Sequence, residues 1–277
     1  MPSDLHMHTN FSDGRMSPEE LVAAAKAAGL KYIAITDHDT VDGVTHLYEN
    51  GLYPSCGIRL IPGIEFSAYH PTQEIHILGY NIDIYHHDLV DKLSDVIEAR
   101  WTRFAEMIER LQKLGYDIKE SEVLTLAEDS RAVSRSHVAQ ILVKKGYFST
   151  ISDVFLSLLG KGKEAYVPHY YLEVEEIISL VRSAGGTPVL AHPKLVRDDD
   201  IVERICQMGI QGIEVFYPQH DAEDTKRYME MADKYHLLVS GGSDFHGYAT
   251  RIPTELGLFT IEDQWAEKFY RPQKQLI

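Results

Sequence analysis

Cysteine is nearly absent from this 277-residue chain: Cys56 and Cys206 stand alone, far apart and in no CxxC spacing. That scarcity excludes a disulfide framework and a thiolate zinc site, and leaves two reduced core cysteines as the expectation. Basic charge is also scarce. Against 42 Asp and Glu there are 27 Lys and Arg, a net charge of −15, so no broad cationic surface is offered to duplex nucleic acid or an anionic membrane. No apolar run approaches the roughly 18 residues of a membrane span. The chain enters Asp4-Leu5-His6 without a basic region or an apolar signal core, which makes the cytoplasm the expected compartment. Internal repeats and low-complexity tracts are missing, and the small acidic run Asp198-Asp199-Asp200 reads as a solvated helix start, where carboxylates favour the helix dipole. What is left is a globular chain, 44% hydrophobic, long enough for one large domain or two small ones.

What the chain does have is histidine and acid where strands should end. Six histidines and three acids lie in Asp4-Leu5-His6-Met7-His8, Thr36-Asp37-His38-Asp39, Gly63-Ile64-Glu65, Glu74-Ile75-His76, Ala191-His192-Pro193 and Ser243-Asp244-Phe245-His246, with Asp13 just after the first of these. Imidazole with carboxylate makes a ligand set suited to zinc, manganese or iron, and such a cluster is costly unless a cation compensates it. Residues two apart on a strand point the same way, so His6 and His8 can reach one ion together; Asp244 and His246 repeat that spacing. Glu65 follows Pro62-Gly63 in an apolar strand, where a carboxylate bridging two metals would offset its burial cost. Asp37 and Asp39 flank His38 as acceptors that could fix its ring tautomer.

Strand and helix signals alternate around these residues. Strands are expected at 3–9, 31–36, 59–67 and 74–81, and a capped helix opens at Ser17-Pro18-Glu19-Glu20, with a short one at 41–50. The pattern then changes. A long helix at 87–114 stops at Gly115, and helical segments at 121–128, 136–145 and 151–159 follow without a confident strand. Alternation resumes with a segment at 174–184, strands at 187–191, 213–216 and 237–240, and helices at 198–208 and 222–235. The expected architecture is a parallel, barrel-like α/β domain (1–83 and 168–277) with a helical subdomain inserted at 84–167, its ligands converging where strand C-termini meet.

Taken in order, DLHMHTNFSDG, ITDHDTVDGV, PGIEFSA, EIHILGY, SRSHVA, LAHP, GIEVFYPQH and GGSDFHG resemble the polymerase and histidinol phosphatase (PHP) family over most of the chain outside the insertion. The resemblance is greatest to its free-standing branch with an inserted helical region, which includes small-nucleotide phosphoesterases and 5′-to-3′ exonucleases of short RNA. It implies a distorted (β/α)7 barrel with up to three divalent ions. By that pattern His6, His8, Glu65 and Asp244 would hold one metal, Glu65, His76 and His192 a second, and Asp13, His38 and His246 a third. Six positive charges against three ligand carboxylates would let an acidic protein attract phosphate locally.

A phosphoester hydrolase using cation-activated water, without a covalent enzyme intermediate, follows as the expected activity, with Asp244 among its catalytic groups. Arg135 in Ser134-Arg135-Ser136-His137 is the expected phosphate clamp because guanidinium offers paired donors, and His137 beside it either contacts substrate or caps its helix. His220 occupies the family position of a substrate-facing histidine able to protonate a leaving oxygen. The expected partner is a phosphorylated small molecule, a nucleoside monophosphate or 3′,5′-bisphosphate. Short single-stranded RNA, histidinol phosphate and a nonenzymatic metal module are the alternatives. The remaining histidines, His46, His70, His86, His87, His169 and His236, are expected to be surface or packing residues.

Overall fold

Local signals set most helix boundaries. In a computed structural model describing residues 2–53, 57–71, 73, 75–127, 133–168, 172–249 and 251–271, β1 (Pro2–Met7) leads to α1 (Pro18–Ala27), whose N-terminus is a capping box. The Ser17 hydroxyl accepts from the Glu20 amide, and the Glu20 carboxylate accepts from the Ser17 amide. Next come β2 (Tyr32–Ile35), α2 (Asp42–Glu49), β3 (Arg59–Ala68) and β4 (Ile75–Tyr80). The long amphipathic α3 (His87–Lys113) is followed by α4 (Glu120–Leu126), α5 (Arg135–Lys144), α6 (Ile151–Val154) and a π-helical turn at Phe155–Leu159. The chain continues through α7 (Val174–Ser183), β5 (Thr187–Leu190), α8 (Asp199–Gln207), β6 (Gly212–Phe216), α9 (Ala222–Tyr235) and β7 (Leu238–Gly241). After it come β8 (Ile261–Glu262) and α10 (Asp263–Ala266), two elements without a signal strong enough to read from the sequence, and a 3-10 turn at Glu267–Phe269. The acidic run behaves as a helix start, with the Asp198 carboxylate accepting from the Asp200 and Ile201 amides. Cys56, Glu74, Glu128 and His169 lie outside the described residues.

The sheet runs in the order β7-β6-β5-β4-β3-β2-β1-β8 and is nearly closed. It departs from an all-parallel barrel at β4 and at the two-residue edge strand β8, which pairs antiparallel with β1. β4 lies antiparallel to both β3 and β5, because residues 69–74 are too short a link for the crossover that a parallel neighbour requires, a dozen residues or more. The reversal matters for function: His76 stands at the start of β4, which is the rim where the other strands end. The main chain after β7 then runs beside β1, where the His8 amide donates to the Phe245 carbonyl (2.9 Å) and the Phe245 amide to the His6 carbonyl (3.3 Å). Gly242 permits that approach, since a β-carbon there would sit 2.4 Å from the Cβ and backbone nitrogen of His6.

Three apolar clusters hold these elements. Alternate residues of β2 separate two of them: Ile33 and Ile35 pack toward Leu21, Ala25 and Val44 of the helices, whereas Tyr32 and Ala34 join Leu78, Tyr80 and Val189. The second group lies inside the barrel, where the Tyr80 hydroxyl reaches Ser240 three strands away in the sheet order (3.1 Å). The third cluster is drawn wholly from residues 104–167, with Phe104, Leu111, Val138, Leu142, Val154 and Leu159 among its members. Cys206 is a free, buried thiol whose pKa burial pushes up to about 11. Among the described residues no helix is long and apolar enough to cross a membrane.

Candidate metal centre

The rim brings all nine candidate ligands into one cluster with Glu65 at its middle. Main-chain bonds from the Glu65 amide to the Asp37 carbonyl (3.1 Å) and from the Asp39 amide to the Glu65 carbonyl (2.9 Å) extend the β2–β3 pairing past β2 and set His38 beside Glu65. Glu65 Oε2 lies 3.3 Å from His6 Nε2, 3.3 Å from His8 Nε2 and 3.1 Å from His38 Nδ1. Its other oxygen, Oε1, is 2.8 Å from His76 Nδ1 and 2.9 Å from His192 Nε2. Asp244 Oδ1 stands 3.2 Å from His8 Nε2 and 3.7 Å from His6 Nε2, while Asp13 Oδ1 lies 3.1 Å from His246 Nε2 and 3.8 Å from His38 Nε2.

Three ligand-sized groups emerge from these distances: His6, His8, Glu65 and Asp244; His8, Asp13, His38 and His246; and His38, Glu65 and His76. The first coincides with one expected quartet. The other two differ in detail, since His8 and His38 each stand between neighbouring positions, and His192 reaches the cluster through Glu65 Oε1.

Whether cations fit is answered by the atoms themselves. His6 Nε2, His8 Nε2, Asp13 Oδ1, His38 Nδ1, Glu65 Oε2 and His246 Nε2 are all buried without a hydrogen-bond partner, and all face the same space. So many orphaned donors and acceptors in one place would be prohibitive in a folded protein, whereas lone pairs on imidazole and carboxylate are what a hard or borderline cation requires. Burial opposes ionisation of Glu65, yet the surrounding imidazoles hold its carboxyl well below the usual range. Asp13 and Asp244 follow the same pattern: burial is outweighed at Asp13 by His246 and His38, and at Asp244 by Arg251 and His246. Burial likewise opposes charging of His8, but Asp244 and Glu65 raise its pKa to about 9; His38 is pushed down to about 3, mainly by burial.

The backbone is strained at the same rim. Asp39 (φ 51°), His192 (φ 25°) and Asp244 (φ 53°) adopt left-handed conformations that non-glycine residues avoid. Each departure costs on the order of 1–3 kcal/mol and persists only where the surroundings over-determine it.

The family model described as the PHP domain matches residues 4–176, more than half of the chain. The chain belongs to the PHP family. The 5′-3′ exoribonuclease Rnm of Salmonella typhimurium is 36% identical to it over 250 residues, 88% of this chain and 84% of that protein. A 3′,5′-nucleoside bisphosphate phosphatase of Chromobacterium violaceum is 31% identical over 248 residues, 88% of this chain and 86% of that one. Among solved structures, a candidate metal-dependent phosphoesterase from Bifidobacterium adolescentis superposes with a TM-score of 0.85 at 31% identity, covering 96% of this chain and 94% of that one.

Within this PHP chain several residues do other work than expected. Asp37 does not orient the His38 ring. Its carboxylate accepts from the Thr9 amide (2.7 Å), the Thr9 hydroxyl (2.6 Å) and the Ser12 hydroxyl (2.6 Å), and so shapes the loop that presents Asp13. Asp39 accepts from the Ser67 amide (2.8 Å) and pairs with buried Arg100 of α3. The nitrogens of His38 face Glu65 and Asp13 instead, because the turn into the left-handed Asp39 aims the flanking carboxylates away.

His137 is buried, and its Nδ1 accepts from the Ser134 amide (3.2 Å), so its ring closes the N-terminus of α5 and borders a separate cavity with Gln140 and Tyr248. His220 donates from Nδ1 to the Val215 carbonyl (2.8 Å), and Tyr217 stands between it and His192, with ring centroids 5.2 and 5.4 Å away. The tyrosine, not the histidine, touches the cluster: its hydroxyl donates to Asp244 Oδ2 (3.1 Å), beside Arg251 (3.2 Å).

Glu214 escaped the sequence reading, although an isolated acid in the apolar strand Gly-Ile-Glu-Val-Phe is the same signal that exposed Glu65. Asp4 is a second such residue. Its Oδ1 accepts from the His6 and Ser243 amides (3.2 and 2.9 Å), tying β1 to the closing segment, and burial raises its pKa to about 6. Of the remaining histidines, His46 pairs with Glu19, His87 with Asp91, and His236 ends α9 in a left-handed cap.

Proposed function

We propose that this phosphoester hydrolase cleaves phosphate esters of small nucleotides, nucleoside monophosphates or 3′,5′-bisphosphates, using water activated by two or three divalent cations, Mn2+, Zn2+ or Fe2+. The observation that carries the reading is a cleft of about 220 Å³ that joins opposite chemistries. Asp13, His38 and His76 form its ligand side, and Arg100, Arg103, Arg135 and Arg251 stand on its other walls. A ligand that is anionic and small satisfies both. His6, His8, Asp13, His38, Glu65, His76, His192, Asp244 and His246 would hold the cations, which lower the pKa of water toward neutrality and offset charge on phosphate oxygens.

The protein's own groups do the rest. Glu65 keeps five imidazoles at fixed separation. Tyr217 and Arg251 hold Asp244 through Oδ2, leaving Oδ1 turned to His8. Arg135, the first residue of α5, has its guanidinium carbon 5.4 Å from the Phe155 ring centroid and meets the substrate phosphate with a planar fork. Because Arg100, Arg103 and Arg135 all come from residues 84–167, we assign that block as an inserted helical subdomain that roofs the barrel of 1–83 and 168–277 and acts as its lid. A second reading, 5′-to-3′ exonuclease on short RNA, is favoured by the exoribonuclease name of the Salmonella relative.

A manganese-supplemented screen of nucleoside mono- and bisphosphates beside short 5′-phosphorylated RNAs separates the two. Small-nucleotide hydrolysis predicts the higher kcat/KM on a mononucleotide. A higher value on the RNAs replaces it with the exonuclease reading, and no phosphate release from either class defeats both.

Arg135 supplies a finer test. Arg135→Lys retains the charge but not the paired donors, so kcat/KM should fall, and Arg135→Ala should lose about 30- to 150-fold, as removal of one charge-assisted contact of roughly 2–3 kcal/mol implies. Metal content should stay unchanged in both variants. Parental kinetics in both would end the clamp and the lid together.

A further inference from the structure

Glu214 lies in the middle of β6 with no exposed surface, a carboxylate among apolar neighbours. Its two oxygens face two groups far apart in sequence, the ring of His6 on β1 and the main chain just after β5. Oε1 lies 3.0 Å from His6 Nδ1, and Oε2 accepts from the His192 main-chain amide at 2.7 Å. His6 turns its other nitrogen, Nε2, toward Glu65 and Asp244, and that atom is buried without a hydrogen-bond partner. His192 has φ 25°, a conformation that needs an external tie, and its Nε2 reaches Glu65 Oε1.

We infer that Glu214 is a positioning residue that couples two cation positions, fixing the proton of His6 on Nδ1 and the strained backbone of His192 through one carboxylate. The inference rests on the reading that His6 and His192 hold cations. Its chemistry is specific to an acid. An imidazole can present a lone pair at Nε2 only if the proton resides on Nδ1, and an acceptor opposite Nδ1 keeps it there. The amide of His192 is also an obligate donor. A carboxylate accepts from both, whereas a glutamine of the same shape must turn its NH2 toward one of them. If the NH2 faces His6, the proton is driven to Nε2 and the ligand atom is lost; if it faces His192, two donors oppose each other and the left-handed turn loses its tie. Asp4 cannot substitute, since its described bonds are to the main chain of His6 and Ser243.

The test is Glu214→Gln in the full chain, read by zinc titration against a chromophoric chelator and by elemental analysis, with Asp244→Asn as the comparison. The expected result is zinc binding weakened about 10- to 100-fold at two positions, with the remaining position, served by Asp13 and His246, unchanged. Should Asp244→Asn lower zinc content while Glu214→Gln binds like the parent, the coupling is wrong and the metal centre stands. If neither variant changes zinc binding, the reading beneath it fails instead. A measurement on the unaltered protein guards against a variant that does not fold. In zinc-loaded protein with 15N-labelled histidine, His6 should show a protonated, slowly exchanging Nδ1 and a coordinated Nε2. A bare Nδ1 on His6 overturns the inference without any substitution.

Discussion

Glu65→Gln is expected to lower kcat/KM by at least about 10³-fold, or some 4 kcal/mol of transition-state stabilisation, while the protein still folds. The size follows from position. Among the described residues no other side chain stands within 3.3 Å of five imidazoles, and its two oxygens divide them, with His6, His8 and His38 at Oε2 and His76 and His192 at Oε1. Replacing one oxygen by NH2 points a donor into space meant for a cation, so two positions suffer at once. Folding should survive, because glutamine has the same shape and a neutral amide is cheaper to bury than a carboxylate. Steady-state kinetics with circular dichroism and a cooperative thermal melt separate these effects. Near-parental turnover in a folded Glu65→Gln protein would remove the bridging role from the site.

Stripping divalent cations should abolish phosphate release altogether, and manganese should restore it, with two or three ions per chain found by elemental analysis. Nine candidate ligands are too many for one ion of ordinary coordination. Proton competition gives the uptake a sign. His8 has its pKa raised to about 9 against the pull of burial, so at neutral pH a cation entering beside it must displace a proton. Apparent affinity should therefore climb as pH rises toward about 9, by as much as tenfold per unit, and level off above it. A protein fully active with one ion or none would contradict the multinuclear assignment, and uptake that ignores pH over this range would contradict the proton competition at His8.

The elements least visible in the sequence were those set by distant partners. Ser17, Pro18 and Glu20 announce their helix because capping is a matter of three residues, and α3 shows its period over 27 residues. The reversal of β4 has no such local mark, since His76 reads the same in either direction. Only the short link at 69–74 and the pairing of Ile77 with Leu190 decide it. For β8, two residues long, antiparallel pairing with Pro2 and Ser3 is the whole reason it exists. Its strand state is tertiary.

The candidate site divides along the same line. Residue type and spacing brought seven candidate ligands to notice, with His76 and His192 gaining weight only from the family resemblance, because imidazoles and acids at strand ends are chemically costly without cations and stand out against apolar strands. The resemblance to the PHP family, carried by the order of the motifs, implied phosphate esters. What orients those ligands came only from the tertiary structure. Asp37 and Asp39 are adjacent to His38 in sequence, yet one holds the loop before Asp13 and the other Arg100 and Ser67. Glu214 faces His6 from 208 positions away, and Tyr217 and Arg251 hold Asp244. The physical reason is that a ligand's identity is a property of its own side chain, whereas its tautomer and aim belong to whichever donor or acceptor the closed barrel places opposite it.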